Sequence, residues 1–322
     1  MALLEVRDLT IRYRTTAGEI RAVDAASLDV DAGEAVGLAG ESGCGKTTLA
    51  LAIPGLLPAN AEVVSGSIRL DGHELIGLPE SEMEKVRWRE ASVVFQGAMN
   101  ALNPVRRVDE QIAEPIRIHE PGTSANEARA RVAELLERVG IPAARGREYP
   151  HEFSGGMRQR VMIAMALACR PRLIIADEPV TALDVMVQAQ ILRLLKDLRA
   201  HLGLAMILIS HDLSVIAETC DRAVVMYAGR TAESGDVRAI FRSPAHPYTQ
   251  ALIRAFPNVR RERTFVSGIP GYPPDLMSPL VGCPFVDRCT VGIERCRVET
   301  PALRPVGPAH EAACHLVGES AS

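Results

Sequence analysis

Eight residues, Gly40 to Thr47 (GESGCGKT), constrain this chain more than any others, because they satisfy the pattern G-x-x-x-x-G-K-[ST] at every fixed position. The apolar run over residues 34–39 before them reads as a strand, and residues 48–53 after them read as a helix. Strand, turn and helix in that order are what a phosphate-cradling loop needs. Glycines at 40, 43 and 45 let successive backbone N–H groups face one concavity, and the following helix adds the positive end of its dipole. A triphosphate is the implied ligand, lined by Gly40, Ser42, Gly43, Cys44, Gly45 and Thr48. Lys46 then reaches the β- and γ-phosphates, and the Thr47 hydroxyl holds Mg²⁺.

Around that loop, short apolar runs alternate with helical periodicity. Strands are expected over residues 3–8, 10–14 and 25–30, making an antiparallel sheet at the N-terminus, and again over 66–72, 92–96, 173–176, 205–209 and 222–227. Helical spacing places Ala128, Val132, Leu135, Leu136 and Val139 on one face of residues 126–139, until Gly140 stops it; a further helix is expected over 185–200. This alternation predicts an α/β fold with a largely parallel core sheet. From Pro257 to Pro308 prolines recur too often for long elements, which sets 256–322 apart as a small irregular C-terminal domain after a first domain of 1–255. A length of 322 residues accommodates two domains, and 47% hydrophobic residues suffice for a sizeable core.

A net charge of −4 provides no basic field for nucleic acid, so none is expected as a partner. Glu5, Arg7 and Asp8 interrupt the place of a signal peptide, and no apolar run approaches the roughly 18 residues of a membrane span. The expectation is a soluble, intracellular chain with reduced cysteines that docks on a membrane protein.

Two further groups bear on phosphate chemistry. Residues 173–178 form an apolar strand ending in two acids. Beside a phosphate loop, Asp177 can hold the Mg²⁺ shell and Glu178 can polarise a water for in-line attack on the γ-phosphate; alone, the pair reads as solvated acids in a surface turn. Residues 153–160 (FSGGMRQR) offer a second anion nest, with the Ser154 hydroxyl and the Gly155 and Gly156 amides at a helix start. Lying between the loop and the acidic strand, this segment closely resembles the signature sequence of ATP-binding cassette (ABC) ATPases. The resemblance implies a P-loop NTPase cassette: a RecA-like parallel core, an N-terminal antiparallel sheet and a helical subdomain near residues 97–160. It also implies a head-to-tail dimer in which one subunit's signature faces the γ-phosphate held by the other.

Individual roles follow from the same resemblance. Tyr13 is implied to stack on adenine, and Gln96 to touch Mg²⁺ and the attacking water while starting the loop that meets a membrane subunit. Asp184 is implied to communicate across the dimer and His211 to contact the γ-phosphate. By themselves Tyr13 is a half-buried strand tyrosine, Gln96 an ordinary strand-end amide and Asp184 a helix N-cap.

Several stretches are similar to the ATPases of bacterial oligopeptide and dipeptide importers: residues 149–153, residues 99–104 after Gln96, and residues 243–252 and 269–276 of the C-terminal part. Gly97 and Ala98 depart from that subfamily, standing where an acidic residue and a proline are expected, and Met186 replaces a threonine. The first departure falls in the loop facing the membrane subunit and bears on coupling. Cys283, Cys289, Cys296 and Cys314 can hold Zn²⁺ or an iron–sulfur cluster. They lack the close C-x₂₋₄-C knuckle usual for zinc and resemble the [4Fe–4S] site of the subfamily, with zinc and unligated thiols as the alternatives. Cys44, beside a helix N-terminus, is expected to have a lowered thiol pKa and to be alkylatable, whereas Cys169 and Cys220 read as packing residues.

The implied function is an ATP-hydrolysing subunit, peripheral on the cytoplasmic face of the inner membrane, that powers import of oligopeptides or dipeptides. Its implied partners are a second, nonidentical ABC ATPase, two transmembrane permease subunits and an extracytoplasmic substrate-binding protein. Related importers of nickel, glutathione or antimicrobial peptides are the alternative. A soluble ABC ATPase of iron–sulfur assembly or DNA maintenance ranks below them: the acidic charge and the lack of a coiled-coil insertion argue against DNA maintenance, and the importer-like tail argues against both.

Overall fold

A computed structural model describes residues 2–97, 101–255 and 268–317. Ala98, with Met99 and Asn100 of the importer-like stretch, lies outside the described residues, as does residue 256, where the tail was expected to begin. The chain divides into two compact units. One is mainly Gly77–Ile209; the other combines Leu4–Asp29, Ala35–Ile76 and Ser210–Ser322.

Three parallel strands centre the first unit, in the order Ala91–Val94, Leu173–Asp177, Ala205–Ile209. Every residue of the last two is buried, which is why they appear in the sequence as unbroken apolar runs. The strand expected over 92–96 ends at Val94, so Gln96 sits in the turn beyond it. Helices Val108–His119, Ala125–Arg138 and Gly155–Ala166 pack on one another. Ala125–Arg138 starts with a capping box: Ser124 Oγ accepts from the Glu127 N–H at 3.3 Å, and Glu127 Oε2 accepts from the Ser124 N–H at 2.8 Å. Its buried face is Ala128, Val132, Leu135 and Leu136, as the spacing predicts. Helix Val185–Leu202 begins on Asp184, whose carboxylate accepts from the Val187 N–H at 3.0 Å, and ends on the left-handed Gly203.

In the second unit an antiparallel sheet runs in the order Gly18–Asp31, Ala2–Thr15, Ala61–Leu70, His73–Glu74. Residues 3–8 and 10–14 are therefore one strand rather than two. The break in their pattern is a bulge: pairing slips between Arg7 and Thr10, around Asp8 at φ 45°. A second sheet pairs Ala35–Ala39 in parallel with Arg222–Tyr227, followed by antiparallel Arg230–Asp236, His310–Ala312 and Arg304–Gly307. Two strands of the proline-rich tail thus extend a sheet that begins beside the phosphate loop. Their docking is fixed by Glu233, which is fully buried and accepts from the Ala245 and His246 N–H groups at 2.8 and 2.9 Å. His310 Nε2 lies 2.7 Å from the same carboxylate. A buried carboxylate needs such partners, so the tail supplies part of what Glu233 requires. Among the described residues, no helix is long and apolar enough to cross a membrane.

Candidate active site

The phosphate loop, Tyr13 and His211 belong to the second unit; Gln96, Ser154, Gly155, Gly156, Asp177, Glu178 and Asp184 belong to the first. In the loop, Gly40 has φ 142° and Gly45 φ 101°. A Cβ at Gly40 would stand 2.3 Å from the Met226 carbonyl oxygen, and one at Gly45 2.2 Å from that of Ala22. Both glycines are thus fixed by close backbone approach as well as by φ. Lys46 is 6% exposed and folds back over the loop, donating to the carbonyl oxygens of Gly40 at 2.8 Å and Glu41 at 2.9 Å. Ser42, Gly43 and Thr47 face solvent. Tyr13, half-buried, has its hydroxyl 3.1 Å from Thr48 Oγ1.

Asp177 ends its strand buried, and Glu178 follows at φ 44°. A left-handed, non-glycine backbone costs on the order of 1 kcal/mol; here it turns the chain sharply out of the strand, with the Glu178 N–H donating to Ile209 O at 3.0 Å. The Glu178 carboxylate accepts from Gln96 Nε2 at 2.8 Å and from Thr181 Oγ1 at 2.9 Å, both on Oε2. Strand end, turn and following loop therefore converge on one carboxylate. Asp184 is the N-cap that its residue type alone suggested. His211 is exposed just before Asp212, which caps helix Leu213–Thr219 by accepting from the Ser214 N–H at 2.8 Å.

Ser154 is the N-cap of Gly155–Ala166, its hydroxyl accepting from the Met157 N–H at 3.3 Å. Gly156 serves packing as well: a Cβ there would lie 2.5 Å from Val187 Cγ1, so the signature helix lies close against the helix that Asp184 starts. Phe153, buried, carries the Arg145 guanidinium 4.7 Å above its ring.

Cys44 corrects the expectation of a reactive thiol. It is buried, and burial raises its pKa above the ordinary thiol value, with Lys46 only partly opposing the shift. The helix-terminus argument for a low pKa fails because desolvation is the larger effect. Peptide mapping after iodoacetamide at neutral pH should find Cys44 at least about tenfold slower to alkylate than free cysteine; equal rates would contradict the burial. Cys169 behaves as the packing residue expected, its pKa pushed up to about 12, chiefly by burial.

In the tail, Cys283, Cys296 and Cys314 are buried and Cys289 is half-buried. The Cys283 N–H donates to Cys296 O at 2.7 Å, and the Gly282 φ of 75° permits that approach. Burial first, then Cys296, Cys314 and Cys289, push the Cys283 thiol up to about 11. Among the described residues, no group of three or more His, Cys, Asp or Glu is placed to hold a metal ion. That finding lends no support to either metal expectation, the iron–sulfur cluster or the zinc alternative.

Three residues for which no site role was expected from the sequence surround Glu41. Arg288 forks onto its carboxylate, Nη1 to Oε2 at 2.6 Å and Nη2 to Oε1 at 2.9 Å, while Tyr248 Oη accepts from its N–H at 2.9 Å. Tyr227 completes the cluster, its hydroxyl 3.2 Å from Arg288 Nη1. Burial pushes the Tyr248 hydroxyl pKa well above the ordinary phenol value, so it stays protonated. Tyr248 lies in the importer-like stretch 243–252 and Arg288 stands beside Cys289, but neither position points to Glu41.

The ABC transporter family profile matches residues 23–181, and the oligopeptide/dipeptide transporter C-terminal region matches residues 232–296. The oligopeptide transport ATP-binding protein OppD of Escherichia coli is 47% identical over 315 residues, covering 97% of this chain and 93% of its own. The dipeptide transport ATP-binding protein DppD of the same organism is 44% identical over 317 residues, covering 98% and 97%. Among solved structures, the dimeric ATP-binding cassette MJ0796, in a post-hydrolysis state with ADP and phosphate, superposes with a TM-score of 0.66 at 29% identity. That match covers 73% of this chain and 99% of the other. The chain belongs to the ABC transporter family as one of its ATPases, and it carries the C-terminal region of the oligopeptide/dipeptide branch.

Proposed function

We propose that this chain hydrolyses ATP to power import of oligopeptides or dipeptides from the cytoplasmic face of the membrane. It would act with a second, nonidentical cassette, two permease subunits and an extracytoplasmic binding protein. The observation that carries this reading is near full-length similarity, tail included, to two peptide-transport ATP-binding proteins. Residues 1–255 serve as the ATP-binding domain and 256–322 as the importer-type extension. Expression with the neighbouring membrane subunits should copurify this chain with a multispanning permease; isolation free of any membrane protein would count against the proposal.

In this reading the loop N–H groups of Gly40 to Thr47 take the phosphates, and Lys46 exchanges the carbonyls it now holds for the β- and γ-phosphate oxygens. Tyr13 presents its ring to adenine. Thr47, Asp177 and Gln96 are hard oxygen donors that suit Mg²⁺, which neutralises charge on the phosphates. Glu178, oriented by Gln96 and Thr181, takes a proton from water as that water's oxygen bonds to the γ-phosphorus and the bond to ADP breaks. His211 holds a γ-phosphate oxygen. Ser154, Gly155 and Gly156 serve the partner's γ-phosphate, and Asp184 carries the coupling between the two sites. Gln96 links this chemistry to the permease, because it both holds Glu178 and stands in the turn with Gly97.

Cys283, Cys289, Cys296 and Cys314 are proposed as ligands of a [4Fe–4S] cluster, which supplies redox-active iron and takes no part in the hydrolysis above. Three of these cysteines are buried and the fourth half-buried, which would shield a cluster from solvent. Anaerobically purified chain should contain about four irons and four sulfides; zinc alone would contradict the assignment.

A further inference from the structure

We propose that Arg288, a residue of the cysteine-bearing tail, is a positioning residue for nucleotide binding, acting through Glu41 of the phosphate loop. This depends on the chain binding ATP and not on what the assembly imports. The loop is an anion-binding concavity, yet its second residue is a carboxylate, whose charge would repel a triphosphate or occupy the loop's own N–H groups. Glu41 does neither. Its carboxylate is turned onto the Arg288 guanidinium in a two-bond fork, its N–H is held by Tyr248 Oη, and its carbonyl is held by Lys46.

Arg288 is fixed from behind. Its side chain is 4% exposed, Nε donates to Pro270 O at 2.9 Å, Nη2 also reaches Ile269 O at 3.3 Å, and Nη1 reaches Tyr227. These partners use the planar fork that only arginine presents. Phe285, 2% exposed, packs its ring 5.2 Å from that of Tyr227 and 5.3 Å from that of Tyr248, so the same tail segment also steadies both tyrosines. Arg288 closes the short turn Val286–Arg288 directly before Cys289. The tail segment before Cys289 thereby reaches the loop through the Arg288–Glu41 ion pair and, by way of Phe285, through Tyr248.

The test measures affinity for ADP, and for ATP with magnesium chelated, on the purified assembly. Arg288→Met keeps the bulk of the side chain and removes its charge and donors. It should raise Kd about tenfold, within the usual range of coupling between sites, with the rate at saturating ATP falling much less. Adding Glu41→Gln to Arg288→Met removes the stranded charge and should return Kd to within about threefold of wild type. An unchanged Kd in Arg288→Met, a loss confined to turnover, or a double variant as weak as the single one would each overturn the proposal. If Arg288→Met shows no cooperative melting, Arg288→Lys replaces it. That variant keeps the charge but not the fork, and its Kd should rise by a smaller factor, about threefold; an unchanged value is again fatal.

Discussion

Glu178→Gln lowers phosphate release by about 10²- to 10⁴-fold while nucleotide affinity stays within a few-fold of wild type. Glutamine matches the shape of glutamate and can still accept from Gln96 Nε2 and Thr181 Oγ1 through its own carbonyl oxygen, so the turn at φ 44° has no reason to rearrange. On the proposed mechanism, what is lost is the basicity that takes the proton from water. Removing Thr181 Oγ1 acts differently, since the base remains and only its orientation relaxes. Thr181→Val should therefore cost about tenfold in turnover, far less than the loss of the base. Single-turnover phosphate release with a parallel binding titration separates the two steps. Turnover by Glu178→Gln within fivefold of wild type would remove Glu178 from the role of base.

The three loop glycines should respond very unequally to alanine. At Gly40 and Gly45 a Cβ would meet backbone carbonyl oxygens at 2.3 and 2.2 Å, and neither carbonyl can swing aside without disturbing the segment that bears it. At Gly43, φ is 79°, but no atom lies within 4 Å of the added carbon. Gly43→Ala then carries only the strain of a left-handed alanine, about 1 kcal/mol. Gly40→Ala and Gly45→Ala must displace backbone and should cost more than about 3 kcal/mol, seen as lost ATP binding and a lower melting temperature. Equal effects at all three positions would mean that the loop is set by φ alone.

The phosphate loop is legible in the sequence because its geometry leaves few choices: where an added Cβ would stand 2.2 to 2.3 Å from a carbonyl oxygen only glycine fits, and the pattern records that. Strands Ala205–Ile209 and Arg222–Tyr227 were readable to the residue because nearly all their side chains are buried. The bulge at Asp8 was not, since a bulge and a loop interrupt alternation in the same way. Thr181 escaped notice because a threonine in a turn is common, and only the fold aims its hydroxyl at Glu178. Arg288 and Tyr248 reach Glu41 from 247 and 207 positions away, and no local pattern carries contacts of that range. Cys44 was misread because two rules conflict there, and burial outweighs the neighbouring lysine.

Peptide uptake tests the account most directly. Liposomes containing this chain, its partner cassette and the permease subunits, with binding protein outside and ATP inside, should accumulate a labelled oligopeptide or dipeptide. The same liposomes built with Glu178→Gln in this chain alone should fall to the level seen without ATP. Undiminished accumulation by the Glu178→Gln assembly would show that ATP hydrolysis by this chain does not power the import.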